Sequence, residues 1–344
     1  MNHIEVKASG SYTVTIGSGI LATVGEVTRH TTEAEKVCVV TDSNVWPLYA
    51  EAVFAQLQNA GFTTCSFVFA AGEINKNAAT YFALLNHLAE NHITRSDCII
   101  ALGGGVVGDL AGFVAATYLR GISYIQIPTT LLAMVDSSVG GKTGIDLPAG
   151  KNLCGAFYQP SAVLCDIDTL NTLPADTFRD GCAEVIKYGI LYDPILFAHL
   201  EAKGLMFARE SVIARCVELK RDVVAEDELD FGKRMKLNLG HTIGHAIEQC
   251  SSYSISHGMA VAVGIAIVSR AARCPDQERI TSLLESFGLP VCTEYSAEEL
   301  CAYALLDKKR NGGQIHLIIP KAIGECVIQP IPVDQLKSFI EEGL

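Results

Sequence analysis

Histidines and their polar neighbours between positions 234 and 257 are the residues of this sequence whose types and spacing best fit chemistry. Five of these residues fall on one stripe of a helix predicted over positions 234 to 248: Arg234, Asn238, His241, His245 and Glu248. His241 and His245 have the i, i+4 spacing that lets two imidazoles reach one metal ion, and His257 is a third candidate. Because a buried arginine is rare unless it meets an anion, the stretch indicates a metal beside an anionic substrate.

A carboxylate that could join the histidines lies earlier in the chain. Glu184 and Lys187 stand three residues apart in a run with apolar flanks, which predicts a buried helix whose charges need partners. We take Glu184 as a further metal ligand. Two alternatives remain open, namely hydrogen-bonded histidines without a metal and a surface ion pair between Glu184 and Lys187.

Two glycine-rich stretches suit phosphate groups. The first, 103 to 109, follows a strand-like run and satisfies GxGxxG, so that backbone N–H groups at a helix start could hold a pyrophosphate. The acid available for a ribose is Asp42, which lies upstream of the glycines, and a tight turn with a packing glycine is the alternative. The second stretch places glycines beside Lys142, but Asp136 stands where a P-loop requires glycine.

The elements that must position these groups alternate between strand-like and helix-like up to about residue 170. Strands are predicted at Tyr12 to Ile16, Lys36 to Thr41, Phe62 to Phe69, Cys98 to Leu102, Ile122 to Ile127 and Ala162 to Cys165. This rhythm predicts an α/β domain with a Rossmann-like, mostly parallel sheet over 1–172. The remainder, 173–344, is predicted to be a mainly α-helical domain with one convincing strand, Ile315 to Ile319.

Composition excludes several classes of protein. The formal net charge of −12 over 344 residues argues against nucleic-acid binding, which needs a basic face. The apolar runs are too short for a membrane span, and the first residues lack the pattern of a signal peptide. Twelve cysteines without a recurring spacing read as reduced core residues, so we expect a cytoplasmic protein.

Seven motifs together give the sequence a family resemblance over nearly its whole length. They are GGGVVGD at 103–109, TYLRG at 117–121, PTTLLAMVDSSVGGKTGID at 128–146, GKN at 150–152, AEVIKYG at 183–189, LNLGHTIGHAIE at 237–248 and DKK at 307–309. In this combination the chain resembles 3-dehydroquinate synthase, a family of sugar-phosphate cyclases. The resemblance implies the dehydroquinate synthase-like fold, which iron-dependent alcohol and glycerol dehydrogenases share.

The resemblance also implies cofactors, site residues and an assembly. The metal, zinc or cobalt, would be bound by Glu184, His241 and His257, which leaves His245 beside it instead of in the ligand pair suggested by spacing. The other implied substrate residues are Lys142, Asn152, Lys187, Lys220, Arg234, Asn238 and Lys308, together with Arg120 from the neighbouring subunit of a homodimer. For NAD, the implied residues are Asp42, Asn44, Glu73, Lys76, Gly105, Asp109, Thr129, Thr130, Asp136, Lys142, Lys151, Thr169, Thr172 and Leu173.

The implied reaction converts 3-deoxy-D-arabino-heptulosonate 7-phosphate to 3-dehydroquinate and phosphate in the shikimate pathway. NAD would oxidise a hydroxyl of the metal-bound substrate, phosphate would leave by β-elimination, NADH would return the hydride, and ring opening would precede an intramolecular aldol closure. The chain departs from the family pattern at Met259, Asp230 and Thr177. The alternatives are another sugar-phosphate cyclase, a metal-dependent polyol dehydrogenase of the same fold, or a non-catalytic nucleotide-binding protein.

Overall fold

The computed structural model describes residues 1–305, 310–311 and 313–344. The chain folds into two compact units. The first unit comprises Met1–Pro174 and Arg209–Leu229, and the second comprises Ala175–Ala208 and Asp230–Leu344. The domain boundary proposed from the sequence, between residues 172 and 173, stays a prediction.

The strands within the described residues are β1 (Asn2–Lys7), β2 (Ser11–Gly17), β3 (Lys36–Asp42), β4 (Thr63–Phe69), β5 (Cys98–Gly103), β6 (Ser123–Pro128), β7 (Lys142–Leu147), β8 (Gly150–Phe157), β9 (Ala162–Asp166), β10 (Arg310–Asn311), β11 (Gln314–Ala322) and β12 (Glu325–Pro332). The helices within the same residues are α1 (Val24–Thr31), α2 (Trp46–Asn59), α3 (Ala78–Glu90), α4 (Gly105–Thr117), α5 (Ala175–Tyr192), α6 (Pro194–Lys203), α7 (Arg209–Glu226), α8 (His241–Cys250), α9 (His257–Ala271), α10 (Gln277–Ser286), α11 (Ala297–Ala304) and α12 (Val333–Gly343).

A seven-stranded sheet in the order β1-β2-β9-β6-β5-β3-β4 forms the centre of the first unit. Apart from the antiparallel hairpin of β1 and β2, all neighbouring strands are parallel. Successive side chains of a strand point to opposite faces, and here both faces are covered. Cys38 and Val40 therefore pack with α3 and α4, whereas Val37 and Val39 pack with α1 and α2. The predicted α/β fold with a mostly parallel sheet is confirmed.

The second unit is mainly helical, as predicted, and its sheet is the part that the sequence pattern underestimates. The predicted strand at 315–319 lies in β11, which pairs with β12 as an antiparallel hairpin, and β10 adds two residues. β12 was not predicted because Pro330 and Pro332 interrupt its strand pattern, and six of its eight residues are not buried.

A single helix over positions 234 to 248 is the one clear error in the second unit. Residues 233–238 form a short 3₁₀ helix, and α8 begins only at His241. Between them Gly240 has a φ of +76°, which favours glycine. A Cβ on Gly240 would lie 2.7 Å from the carbonyl oxygen of Val261 in α9. The left-handed Gly240 therefore breaks the helix, and its lack of a side chain lets α8 and α9 pack closely against each other.

Among the helices that the structure describes, none is both long and apolar enough to cross a membrane.

Candidate functional site

Three side chains from separate helices meet inside the second unit. Glu184 lies in the buried middle of α5, while His241 and His257 are the first residues of α8 and α9. The Nε2 atom of each histidine lies 3.5 Å from Oε1 of Glu184. One ligand atom from each residue lies within 4.8 Å of the other two. One carboxylate and two imidazoles at this separation fit a zinc-type ion, which binds such donors at about 2.0–2.2 Å.

The tautomer of His241 is determined by the backbone. Its Nδ1 lies 3.0 Å from the carbonyl oxygen of Leu239. A carbonyl only accepts, so Nδ1 carries a proton, and the other ring nitrogen, Nε2, faces Glu184. This arrangement presents His241 to a metal in the form that a metal requires.

His257 contacts a carboxylate on each side of its ring. Besides Glu184 at Nε2, Oε2 of Glu248 lies 3.5 Å from Nδ1. Burial disfavours the charged imidazolium, but hydrogen bonds to Glu184 and Glu248 outweigh that effect and raise the pKa of His257 to about 10. Metal-free protein therefore keeps a proton on His257 at neutral pH, and a metal has to displace it.

The start of α9 is fixed by Asp180, a residue that the sequence did not single out. Its Oδ1 accepts hydrogen bonds from the Ser256 hydroxyl and from the Met259 amide, the latter at 3.1 Å. A Cβ on Gly258 would lie 1.9 Å from the carbonyl oxygen of Asp180. Only glycine fits at position 258. The close contact with α5 therefore positions the first turn of α9, which carries His257.

Other predicted substrate residues also lie in the second unit, and two of them, His245 and Lys187, lie beside this group. The His245 ring lies 5.5 Å from the His241 ring and 5.9 Å from the His257 ring, between centroids. Lys187 is buried and its ammonium pairs with Oε2 of Glu184. Arg234 is only 1% exposed.

Asn238 and Lys308 are the remaining predicted substrate residues of the second unit. The Asn238 amide donates to the carbonyl of Met235 at 3.0 Å. Lys308 lies outside the described residues.

The first unit gathers the predicted nucleotide residues at the carboxyl ends of three parallel strands. β5 leads into the glycines, and α4 begins at Gly105. A Cβ on Gly104 would lie 3.1 Å from Thr130, and one on Gly105 would lie 3.1 Å from Ser137. These glycines therefore let Thr130 and Ser137 pack closely against the start of α4, and the backbone N–H groups of a helix start suit the pyrophosphate of a dinucleotide.

Asp42 reaches this edge of the sheet although it precedes the glycines in sequence. β3 and β5 are neighbours, with Thr41 opposite Leu102, so that Asp42, the last residue of β3, lies beside Gly103. Oδ1 of Asp42 accepts from the amide of Asn44 at 2.8 Å and thereby shapes the turn. On the other side of β5, the amide of Thr129 donates to the carbonyl of Gly103 at 3.0 Å. Because β3 and β5 are neighbours in the sheet, Asp42 lies near the glycines although it precedes them in the sequence.

Lys76 is the centre of a buried ionic cluster in the first unit. Its ammonium lies 2.8 Å from Glu73, 3.1 Å from Asp109 and 3.8 Å from Asp146, and it donates to the Asn152 side chain at 2.9 Å. Burial works against the charged form, but the carboxylates raise the pKa of Lys76. Asp146 belongs to the cluster although the sequence did not single it out.

The members of this cluster come from four separate elements. The backbone N–H of Asn152 donates to Oδ1 of Asp146 at 2.8 Å, and Asn152 has a left-handed backbone with a φ of +52°. Lys151 lies 3.9 Å from Glu73. Burial raises the pKa values of Asp109 and Asp146, and Lys76 partly opposes the rise.

Lys220 and Asp136 form a second ion pair in the first unit. The Lys220 ammonium lies 2.8 Å from Oδ1 of Asp136, which belongs to a π-helical turn over 133–137. Lys142 is exposed at the start of β7.

The remaining predicted residues of the first unit lie at two places. Tyr49 in α2 donates to the Thr169 carbonyl at 3.1 Å and contacts the Thr172 hydroxyl, and Leu173 follows directly. Arg120 is exposed just beyond the carboxyl end of α4, whereas the glycine loop lies at its amino end. A 13-residue helix separates the two, about 20 Å at 1.5 Å per residue.

Comparison with known proteins gives consistent matches. The family models described as 3-dehydroquinate synthase N-terminal and C-terminal match residues 66–180 and 181–310. A 3-dehydroquinate synthase from Enterococcus faecalis is 44% identical over 342 residues, covering 96% of each chain.

Two solved sugar-phosphate cyclases have a similar fold. A 2-deoxy-scyllo-inosose synthase complexed with carbaglucose-6-phosphate, NAD+ and Co2+ superposes with a TM-score of 0.90 at 25% identity, covering 100% of both chains. The 2-epi-5-epi-valiolone synthase of Streptomyces hygroscopicus, with NAD+ and Zn2+ bound, gives 0.89 at 26% identity over 98% of both chains.

Proposed function

This chain belongs to the 3-dehydroquinate synthase family, and from that premise we propose which of its residues carry the reaction. The enzyme converts 3-deoxy-D-arabino-heptulosonate 7-phosphate to 3-dehydroquinate and phosphate, using NAD and a divalent metal. The observation that carries this conclusion is 44% identity to a 3-dehydroquinate synthase over 96% of both chains. The relatedness to other cyclases is lower, at 25–26%.

Glu184, His241 and His257 hold the metal. Their donor atoms lie together, and the backbone contact of His241 turns its Nε2 lone pair towards them. Lys187 pairs with Glu184 and compensates the buried charge of that carboxylate. His245 stands next to both ligand rings, where it can exchange a proton with a hydroxyl of the substrate.

The substrate carries a phosphate and a carboxylate, and basic side chains bind both groups. In the second unit these are Arg234 and Lys308, and in the first unit Lys142 and Lys220, with Asn152 as a neutral partner. Buried Arg234 offers a planar set of donors suited to an anion. A bound metal would acidify a substrate hydroxyl, and NAD would reversibly accept the hydride from the carbon that carries this hydroxyl.

NAD binds along the carboxyl ends of β3, β5 and β6. Gly105 and its neighbours at the start of α4 hold the pyrophosphate, and Asp42 and Asn44 bind the adenosine ribose. Lys151 and the ionic cluster around Lys76 lie beside the phosphate groups of NAD. Thr129, Thr130, Asp136, Thr169, Thr172 and Leu173 complete the cofactor residues.

Arg120 acts in the neighbouring subunit of a homodimer. The proposal is supported by its exposed position beyond the end of α4 that lies away from the glycine loop. Closed two-fold symmetry would then give each active site one residue from the other chain. We also place the protein in the cytoplasm, in keeping with its twelve free cysteines.

Phosphate release tests the reaction. Purified enzyme with the heptulosonate phosphate, NAD and zinc should release many phosphates per NAD without accumulating NADH, whereas other sugar phosphates should release none. Steady NADH formation would contradict the proposal and favour a polyol dehydrogenase. His257→Ala should lose both the metal and turnover while staying folded, and a variant with full metal content would contradict the ligand assignment.

A complementation experiment tests the position of Arg120. Arg120→Ala and Lys142→Ala should each be inactive, but in a mixed dimer one site carries both lesions and the other is intact. Under random pairing roughly a quarter of the wild-type activity should return. If differently tagged mixed dimers form without activity, Arg120 acts within its own subunit.

A further inference from the structure

We propose that Glu248 is the positioning residue for His257, orienting its ring so that Nε2 faces the metal. The inference rests on the proposed function, in which His257 is a ligand. Oε2 of Glu248 lies 3.5 Å from Nδ1 of His257, on the side of the ring opposite to Glu184. A carboxylate behind a ligating imidazole fixes the ring's tautomer and orientation and raises its basicity.

The surroundings of Glu248 support this role. Its side chain is 2% exposed, whereas that of His257 is 30% exposed and has more freedom to turn. Glu248 lies in the last turn of α8, and His257 begins α9, so that the contact joins the two helices. A buried carboxylate held in a helix provides a fixed acceptor for a ring that would otherwise rotate about its side-chain bonds.

A second metal ion is the competing explanation for the same residues. His245, Glu248 and His257 also place one ligand atom each within 4.8 Å of one another. His257 would then bridge two ions through its two nitrogens. We favour the positioning role because Nδ1 needs an acceptor whenever Nε2 binds a metal, and Glu248 supplies it without a second ion.

The test replaces the carboxylate by an amide of the same shape, Glu248→Gln, with Glu285→Gln, at an exposed position of α10, as the matched control. Cobalt affinity is measured from the visible d–d bands. We expect affinity to fall about 10- to 100-fold in Glu248→Gln, with an altered band pattern and an unchanged circular dichroism spectrum, and to be unchanged in the control. Glu248→Asp, which keeps the charge, should lie between the two.

Two outcomes would overturn the inference. One is cobalt affinity within twofold of wild type, and the other is loss of a whole equivalent of metal in Glu248→Gln, which would make Glu248 a ligand. Failure of the proposed function gives a different pattern, since His257→Ala would then leave metal binding intact.

A separate observation in the first unit carries a second inference: we propose that Cys38, Cys65 and His87 bind a thiophilic divalent cation such as Zn2+. Cys38 and Cys65 stand opposite each other on the parallel strands β3 and β4. Both pack on the face of the sheet covered by α3, which carries His87. One ligand atom from each lies within 4.8 Å of the other two.

The chemistry of these three residues favours a soft cation. Two thiolates and an imidazole are the donors that select zinc and cadmium over magnesium or calcium. Zn–S bonds of about 2.3 Å place two sulfurs of a tetrahedral site roughly 3.8 Å apart, so that small side-chain movements suffice. Cys38 is buried, but Cys65 and His87 are half-buried, so that an ion can reach them from solvent.

Cadmium added to enzyme that holds one equivalent of zinc distinguishes this site from the active centre, whose proposed ligands include no sulfur. One equivalent should give ultraviolet thiolate-to-cadmium charge-transfer absorption. Cys65→Ser should abolish this absorption and His87→Gln should weaken binding, while Cys292→Ser, which removes an exposed cysteine, should change neither. Absorption that survives Cys65→Ser, or that needs many equivalents of cadmium, would overturn the proposal.

Discussion

Replacing Lys76 with methionine tests the ionic cluster of the first unit. The substitution keeps most of the side chain's bulk and removes its charge. The Lys76 side chain is 4% exposed and its ammonium contacts Glu73, Asp109 and Asp146 within 3.8 Å. Without the ammonium, the carboxylates of Asp109 and Asp146 lose the cation that compensates the cost of their burial.

The expected loss of unfolding free energy is about 3–5 kcal/mol, the usual cost of removing one partner from a buried ion pair. Asp109 and Asp146, whose side chains are 21% and 19% exposed, account for most of it. Glu73, at 32% exposure, is better solvated and contributes less.

The loss of unfolding free energy in Lys76→Met should depend on pH. Burial raises the pKa values of Asp109 and Asp146, so folding favours their protonated forms, and the stability that they contribute is lost as the pH rises through their folded pKa values. Lys76 opposes that rise. Its removal raises both pKa values further, so the loss should be largest at neutral pH and smaller near about pH 5.

Urea unfolding of the NAD-free protein, followed by circular dichroism, measures the loss. Lys151→Met is the matched control, because Lys151 is 22% exposed and 3.9 Å from Glu73 and should cost under about 1 kcal/mol. A loss no larger than that of the control, or one that does not shrink on acidification, would refute the reasoning.

Two further predictions concern the second unit. Zinc binding to metal-free protein at about pH 8 should release close to one proton from His257, whose pKa is raised to about 10, measurable by calorimetry in buffers with different ionisation enthalpies. Release of no proton would contradict the raised pKa. Gly258→Ala should cost about 1–3 kcal/mol in unfolding and lower the zinc content, because its Cβ would meet the Asp180 carbonyl at 1.9 Å. Full stability with full zinc content would contradict this steric argument.

The sheet of the first unit could be predicted because its central strands are buried on both faces. Such strands read as continuous apolar runs, and the β3 and β5 runs stand out clearly in the sequence. The order of those strands could not be read in the same way. The neighbouring positions of β3 and β5, which bring Asp42 to the glycine loop, result from long-range pairing.

The histidine stretch shows where periodicity fails. A helical wheel over 234–248 assumes an unbroken helix, but the left-handed Gly240 breaks it. Spacing favoured His241 with His245, whereas the structure places Nε2 of His241 and His257 on the same oxygen of Glu184. His257 and Asp180 take their positions through packing of α9 against other segments, which no local pattern records.

Helix α7 has a consequence for how this protein is synthesised. It belongs to the first unit, although the segment Ala175–Ala208 of the second unit precedes it in the chain. During translation, the first unit therefore remains incomplete until α7 has left the ribosome, several seconds after Pro174 at about 5–20 residues per second. A gene fragment ending at residue 172 would lack α7, and with it the Lys220 that pairs with Asp136.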